Sequence, residues 1–168
     1  MPKLDEVNRY TPQEFSAAFG AVYEHSPWLA ARALARRPFA SPQALHLALY
    51  SALHEASPDE KLALVRAHPE LAGKEADADA LTGASAREQA AAGLGALTPD
   101  QKADLQALNR RYVEAFGFPF VICARQNGRD AIFGTLRARL ANSREQEIAN
   151  AIAQIGEIAR LRVADLVR

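Results

Sequence analysis

A chain of 168 residues with 20 basic and 20 acidic side chains has no formal net charge, so no overall field draws it to nucleic acid or to an anionic membrane. Its one cysteine, Cys123, excludes an internal disulfide and any cysteine-based metal cluster, and fits a reducing compartment. The opening MPKLDEVNRYTPQEF lacks a signal peptide's apolar stretch, the closing ADLVR is no peroxisomal address, and no apolar run nears the roughly 20 residues of a membrane span. The expectation is one soluble, cytoplasmic domain over residues 1–168.

In chain order, TPQE at Thr11, SPW at Ser26, SPQ at Ser41, SPDE at Ser57 and TPDQ at Thr98 each set a hydroxyl before a proline, the pairing of an N-cap with the first helical position. Glu14, Glu60 and Gln101 complete capping boxes in three of them. Helical spacing follows in Leu45, Leu49 and Leu53, then Leu62 and Val65, then Leu105, Leu108, Tyr112 and Phe116. Further helices are predicted over 130–140 and from 143 to about 161, the last with Ile148, Ile152, Ile155 and Ile158 on one stripe. Only 118–124, FPFVICA, reads as extended. The predicted fold class is all-α, a single-domain bundle of about seven or eight helices with one short extended segment. Two loops interrupt it, the polar 73–85 and the tight FGFPF at 116–120, whose helix ends at Gly117.

Chemistry is sparse along this chain. It has no HExxH, no glycine-rich phosphate loop, no GxSxG and no GxGxxG, and His25, His46, His54 and His68 are too scattered to declare a metal site. Cys123 sits in an apolar run, which favours a packed or pocket-lining thiol over a nucleophile. His68 precedes Pro69, so the helix carrying DEKLALVRA is predicted to end near Ala67, leaving the imidazole at a rigid corner as a helix cap or as a proton carrier. Ser85 and Glu88 have capping-box spacing before an alanine-rich helix. Arg162, near the end of the last helix, reads on its own as a solvated cation favoured by the helix dipole.

Taken together, AHPELAGK, LTGASAREQAAAGLGAL, LNRRYVEAFGFPFVICAR and LRARLANSREQEIANAIAQIGEIARLR occur in an order that resembles the decarboxylases of 2-oxo-4-hydroxy-4-carboxy-5-ureidoimidazoline (OHCU) in urate catabolism. The resemblance spans nearly the whole chain. The departures are mild: Glu70 stands where aspartate is common after His-Pro, Cys123 sits in the extended run, and Val163 follows the last LR. What the resemblance implies is an all-α carboxy-lyase, commonly a homodimer, that works without a cofactor or metal and forms (S)-allantoin. It also implies that His68 is the catalytic acid/base with Glu88 beside it. Pro69, Ser85, Gln89 and Arg162 then bind substrate, and the backbone of Phe120, Val121, Ile122, Cys123 and Ala124 lines the pocket. Two other readings stand beside it: a cofactor-free enzyme acting on a related ureide or hydantoin, and a non-catalytic helical interaction module in which these residues are caps. Convergence of the named side chains within about hydrogen-bonding reach of a common small cavity separates the enzymes from the module. For the dimer, the Ile stripe and the aromatic N-terminal region are the expected apolar surfaces.

Overall fold

Hydroxyl-proline pairs start helices at four of their five positions. Thr11, Ser41 and Thr98 accept the backbone N–H three residues on, and Glu14 and Gln101 return the bond to close their boxes. Ser57 and Glu60 close a third. SPW behaves differently: Pro27 takes the N-cap place with helical φ and ψ, and the Ser26 hydroxyl donates to the Glu24 carbonyl instead.

The structure, a computed structural model, describes residues 1–168 as ten α-helices and two 3-10 turns, with no β-ladder. The helices are α1 (Leu4–Val7), α2 (Pro12–Phe19), α3 (Trp28–Leu34), α4 (Pro42–His54), α5 (Pro58–Ala67), α6 (Lys74–Asp77), α7 (Gly83–Ala91), α8 (Pro99–Phe116), α9 (Arg129–Arg139) and α10 (Arg144–Leu166). The 3-10 turns are Leu94–Ala96 and Ala124–Gln126. The class is all-α as predicted, and the count exceeds seven or eight because α1 and α6 are four-residue helices, too short to show a period. The last helix continues past 161 to Leu166, since no glycine or proline follows to stop it.

The chain divides into two compact units, Met1–Leu64 with Gly156–Arg168, and Val65–Ile155. In the first, α3 packs against α2 and α4, and Phe15, Phe19, Leu29, Leu45, Leu49 and Leu53 are buried. Gly156 is required by close approach, because a Cβ there would lie 2.5 Å from Cε2 of Tyr50. In the second unit, Tyr112, Phe116, Phe118 and Phe120 form an aromatic cluster, with Tyr112 centred 4.6 Å from Phe116 and 5.4 Å from Phe120. Gly117 makes the turn into it with a left-handed φ of 81°. Arg144 and Arg66 cap that turn by donating to the Phe116 and Gly117 carbonyls.

The apolar surfaces expected to pair two copies are used inside the chain. Ile152, Ile155 and Ile158 are buried, and so are Phe15, Phe19 and Tyr23. Leu47 on α4 is left exposed instead. No helix is long and apolar enough to cross a membrane.

Candidate functional site

In the unit Val65–Ile155, α5 stops at Ala67 and His68 follows as the first residue beyond it, its N–H donating to the Val65 carbonyl. This is the corner the His-Pro pair predicts. His68 is 8 % exposed, so it is a largely buried imidazole on a helix end. The chain then turns through Ala72, whose φ of 48° is unusual for a residue with a side chain. Two buried bonds and a part-buried one hold the loop there. Ala72 N–H donates to Gln89 Oε1 at 2.9 Å, Gln89 Nε2 to the Glu70 carbonyl at 3.4 Å, and Asn109 Nδ2 to the Leu71 carbonyl at 3.0 Å.

Helix α7 carries the next group and corrects the sequence reading of its start. Thr82, not Ser85, is the N-cap, its hydroxyl accepting from the Ser85 N–H at 3.3 Å. The Ser85–Glu88 capping box is therefore not formed at this helix start: Ser85 is the third helical residue and Glu88 lies in the second turn. Because Ser85, Glu88 and Gln89 are spaced i, i+3 and i+4, they share one face of a helix otherwise rich in alanine. Ser85 and Gln89 are buried and Glu88 is half-buried. A cavity of about 340 Å³ adjoins α7, lined by Ala72, Ala86, Gln89, Leu94, Leu97 and Lys102 among others, and of the residues named from sequence it touches Gln89 alone.

Residues 120–123 lie outside any helix and pair with no strand, Cys123 is extended and Ala124 opens the 3-10 turn, so side chains take the backbone polar groups of this segment. Arg139 Nη1 donates to the Val121 carbonyl at 2.8 Å, Cys123 N–H donates to Gln154 Oε1 at 2.9 Å, and Asn127 Nδ2 donates to the Cys123 carbonyl at 2.9 Å. All five residues from Phe120 to Ala124 are buried. Helix α7 packs on the turn Ala124–Gln126 that ends this segment. Thus the loop after His68 is bonded to Gln89 of α7, and α7 packs on the turn that ends the segment, all within one unit.

Behind the segment lies a charged network that the sequence reading missed. Glu147 accepts from Arg139 Nε at 2.8 Å, the Tyr112 hydroxyl at 2.7 Å, Asn142 Nδ2 at 2.9 Å and Asn150 Nδ2 at 3.2 Å. Arg139 Nη2 also lies 2.7 Å from Glu147 Oε2, off the N–H axis, an electrostatic contact without an aligned hydrogen bond. Burial pushes the Glu147 carboxyl up, but the hydrogen bonds from Arg139, Tyr112 and Asn142 outweigh it and hold the group below the usual carboxylate range. Burial and the same carboxylate raise the Tyr112 phenol. A signal for this was available. Ile132, Leu136 and Arg139 run down one buried face of α9, and Glu147, Ala151 and Ile155 down one of α10, so each charge sits in a core position that demands a partner.

In the other unit Arg162 is 6 % exposed and not solvated. Its Nη2 donates to Glu24 Oε1 at 2.9 Å and its Nη1 to the Val22 carbonyl at 3.2 Å, so the reading as a dipole-favoured surface cation fails. Glu24 was not predicted, although Arg162 follows Ile155, Ile158 and Ala159 on a buried stripe and calls for a carboxylate. No group of three or more His, Cys, Asp and Glu side chains is placed to hold a metal ion.

Comparison with known proteins identifies the family. The OHCU decarboxylase family pattern matches residues 8–164. The 2-oxo-4-hydroxy-4-carboxy-5-ureidoimidazoline decarboxylase of Haloferax volcanii is 41 % identical over 162 residues, 96 % of this chain and 94 % of that protein. Two solved structures share the fold. An (S)-allantoin synthase has a TM-score of 0.76 at 24 % identity, covering 99 % of this chain and 54 % of the other. An OHCU decarboxylase studied in the presence of (S)-allantoin has a TM-score of 0.70 at 21 % identity, covering 86 % and 94 %. With the family pattern spanning nearly every residue and a relative at this identity along nearly its full length, the chain belongs to the OHCU decarboxylase family.

Proposed function

We propose that the protein decarboxylates OHCU to (S)-allantoin in urate breakdown, as a carboxy-lyase whose residues 1–168 act as one catalytic domain without a cofactor. The carrying observation, beside family membership, is that a buried histidine at a proline-fixed corner is hydrogen-bonded through its loop to Gln89 of the helix bearing Ser85 and Glu88. A non-catalytic module has no need of this linkage.

Carbon dioxide loss requires a place for the electron pair of the breaking C–C bond. In OHCU the carbon bearing carboxylate and hydroxyl adjoins a ring C=N, so the pair enters the ring and the ring nitrogen takes up a proton. The resulting enol then loses its O–H proton and gains one on the neighbouring carbon, giving the ketone. One proton is consumed for each carboxylate lost. The face on which carbon is protonated fixes the configuration, so the protein's task is to orient the ring, hold the carboxylate out of its plane and deliver that proton from one side.

His68 is assigned the proton transfer, with Glu88 orienting the imidazole. Pro69, Ser85, Gln89 and Arg162 are assigned to the polar edges of the substrate, and the backbone of 120–124 to its ring. Gln89 already serves the corner with both ends of its amide, so its contribution to substrate passes in part through the loop that carries His68. A homodimer and a cytoplasmic location belong to the same reading, and light scattering that finds only an 18.2 kDa species at micromolar concentration refutes the dimer.

The test is to give the purified protein freshly generated OHCU and follow the chirality of the allantoin formed. Predominantly (S)-allantoin, lost in His68→Asn with the fold intact, is the expected result. Racemic product at the uncatalysed rate returns the protein to a different ureide or hydantoin, or to a binding role.

A further inference from the structure

A segment outside helix and sheet has no ladder partner to fix its path, yet 120–124 is where the proposed pocket needs a defined backbone. The guanidinium of Arg139 meets that need with two of its edges. One edge engages Glu147, through Nε at 2.8 Å, and Nη1 donates to the Val121 carbonyl at 2.8 Å. Its plane lies over the Phe120 ring, with Cζ 4.5 Å from the centroid. A planar fork bound on two sides and stacked on a third fixes distance and angle together, which a flexible ammonium does not. Glu147 is in turn held by Tyr112, Asn142 and Asn150, so α8, α9 and α10 all contribute to the setting of one carbonyl.

Stability alone does not account for such an arrangement, because apolar side chains of similar volume replace buried ion pairs at little or no cost. We propose that Arg139, oriented by Glu147, is a positioning residue that sets the path of 120–124 and through it substrate affinity and the protonated face. The role in affinity rests on the functional reading above. The role in holding the segment does not.

Cys123 supplies an internal reporter, as the only cysteine, wholly buried, two residues from the carbonyl that Arg139 grips. Two variants are informative: Arg139→Lys, which keeps the charge and loses the fork, and Arg139→Met with Glu147→Leu, which removes the pair and guards against an unfolded single variant. Each is measured for denaturant midpoint, for the rate at which a soluble aromatic disulfide labels Cys123 in the native state, and for steady-state turnover of OHCU. In the folded variants we expect labelling to accelerate by about tenfold or more through local opening, and KM to rise by about tenfold with kcat within about twofold, the pattern of lost uniform binding. The enantiomeric excess of the allantoin is expected to fall with it. Unchanged labelling and unchanged KM in a variant that retains the wild-type midpoint overturn the proposal. If the wild-type protein does not turn over OHCU, the functional reading fails, and the labelling rates alone decide whether Arg139 holds the segment.

Discussion

Replacing Glu147 by glutamine changes one oxygen for an NH₂ in a place built only for acceptors. The Glu147 side chain is 0 % exposed and its Arg139 partner 9 %, and the carboxylate takes hydrogen bonds from Arg139, Tyr112, Asn142 and Asn150. The new amide nitrogen confronts donors on whichever side it is placed, and the guanidinium loses its counter-charge. Removing one partner of a buried pair costs about 3–5 kcal/mol. For a chain of this length that lowers the thermal midpoint by roughly 6–20 °C, at about 2–4 °C per kcal/mol. By contrast, Arg139→Met with Glu147→Leu is expected within about 1 kcal/mol of wild type, or above it, because neither charge is left behind. Acid behaviour supplies a second readout. A carboxyl held below its unfolded value stabilises above pH about 4.5 and loses that contribution as pH falls through the lowered value, so the double variant is expected to show a shallower acid limb. Guanidinium denaturation at pH 7 and at pH 3–4 checks both. A Glu147→Gln variant within about 1 kcal/mol of wild type means that the site relaxes or admits water, and the reasoning from acceptor geometry is refuted.

Glu88→Gln is expected to lower stereospecific turnover by about a hundredfold, the scale of a general acid/base element, and near-wild-type kinetics remove Glu88 from the mechanism. Arg162→Lys keeps the charge but cannot hold Glu24 and the Val22 carbonyl through one planar group, so KM is expected to rise by about tenfold or more, and an unchanged KM counts against the assignment. His46 is half-buried against the Gly156 carbonyl, and this partial burial lowers its pKa, so the unfolded chain binds more protons and stability falls as pH drops below about 6.5. His46→Gln is expected to flatten that slope between pH 7.5 and 5.5, and an identical slope in the variant shows that another group titrates.

Local chemistry was the legible part of this fold. A hydroxyl, a proline and an acidic or amide residue three places on are read within one turn, and Thr11, Ser57 and Thr98 behave accordingly. His68-Pro69 is equally local, and the helix ends at Ala67 where the proline dictates. Ser26 failed because its hydroxyl found a competing acceptor, the Glu24 carbonyl two residues back. Ser85 failed by rivalry with Thr82, three residues earlier and equally able to cap, a choice that spacing cannot make. Long-range partners were beyond reach for a different reason. Nothing local in Glu24 points to a guanidinium 138 residues away, and the braces at Asn109 and Arg139 act on backbone atoms, which leave no trace in the type of residue they hold. Only their placement on apolar stripes carried a signal, that of a polar group where packing expects a hydrocarbon.

That signal has a wider consequence. The buried polar and charged residues are Glu24, Ser26, His68, Ser85, Gln89, Asn109, Arg139, Glu147 and Arg162. His68, Ser85, Gln89 and Arg162 are the site residues named from sequence. Of the rest, Glu24 holds Arg162 and Ser26 holds the Glu24 backbone, Asn109 holds the loop after His68, and Arg139 with Glu147 holds the Val121 carbonyl. Each polar group kept from water costs desolvation that an aliphatic side chain avoids, so an interior selected for stability alone has no use for them in these places. On the proposed reading, Glu24 and Arg139 with Glu147 bond directly to groups assigned to the substrate, and Ser26 and Asn109 bond to the backbone next to such groups. A reaction whose substrate carries its own electron sink asks little of the protein in reactivity and much in placement, since a proton delivered to the wrong face yields the wrong enantiomer at full speed. On the proposed reading, the buried polar side chains of each unit stand beside groups assigned to that placement.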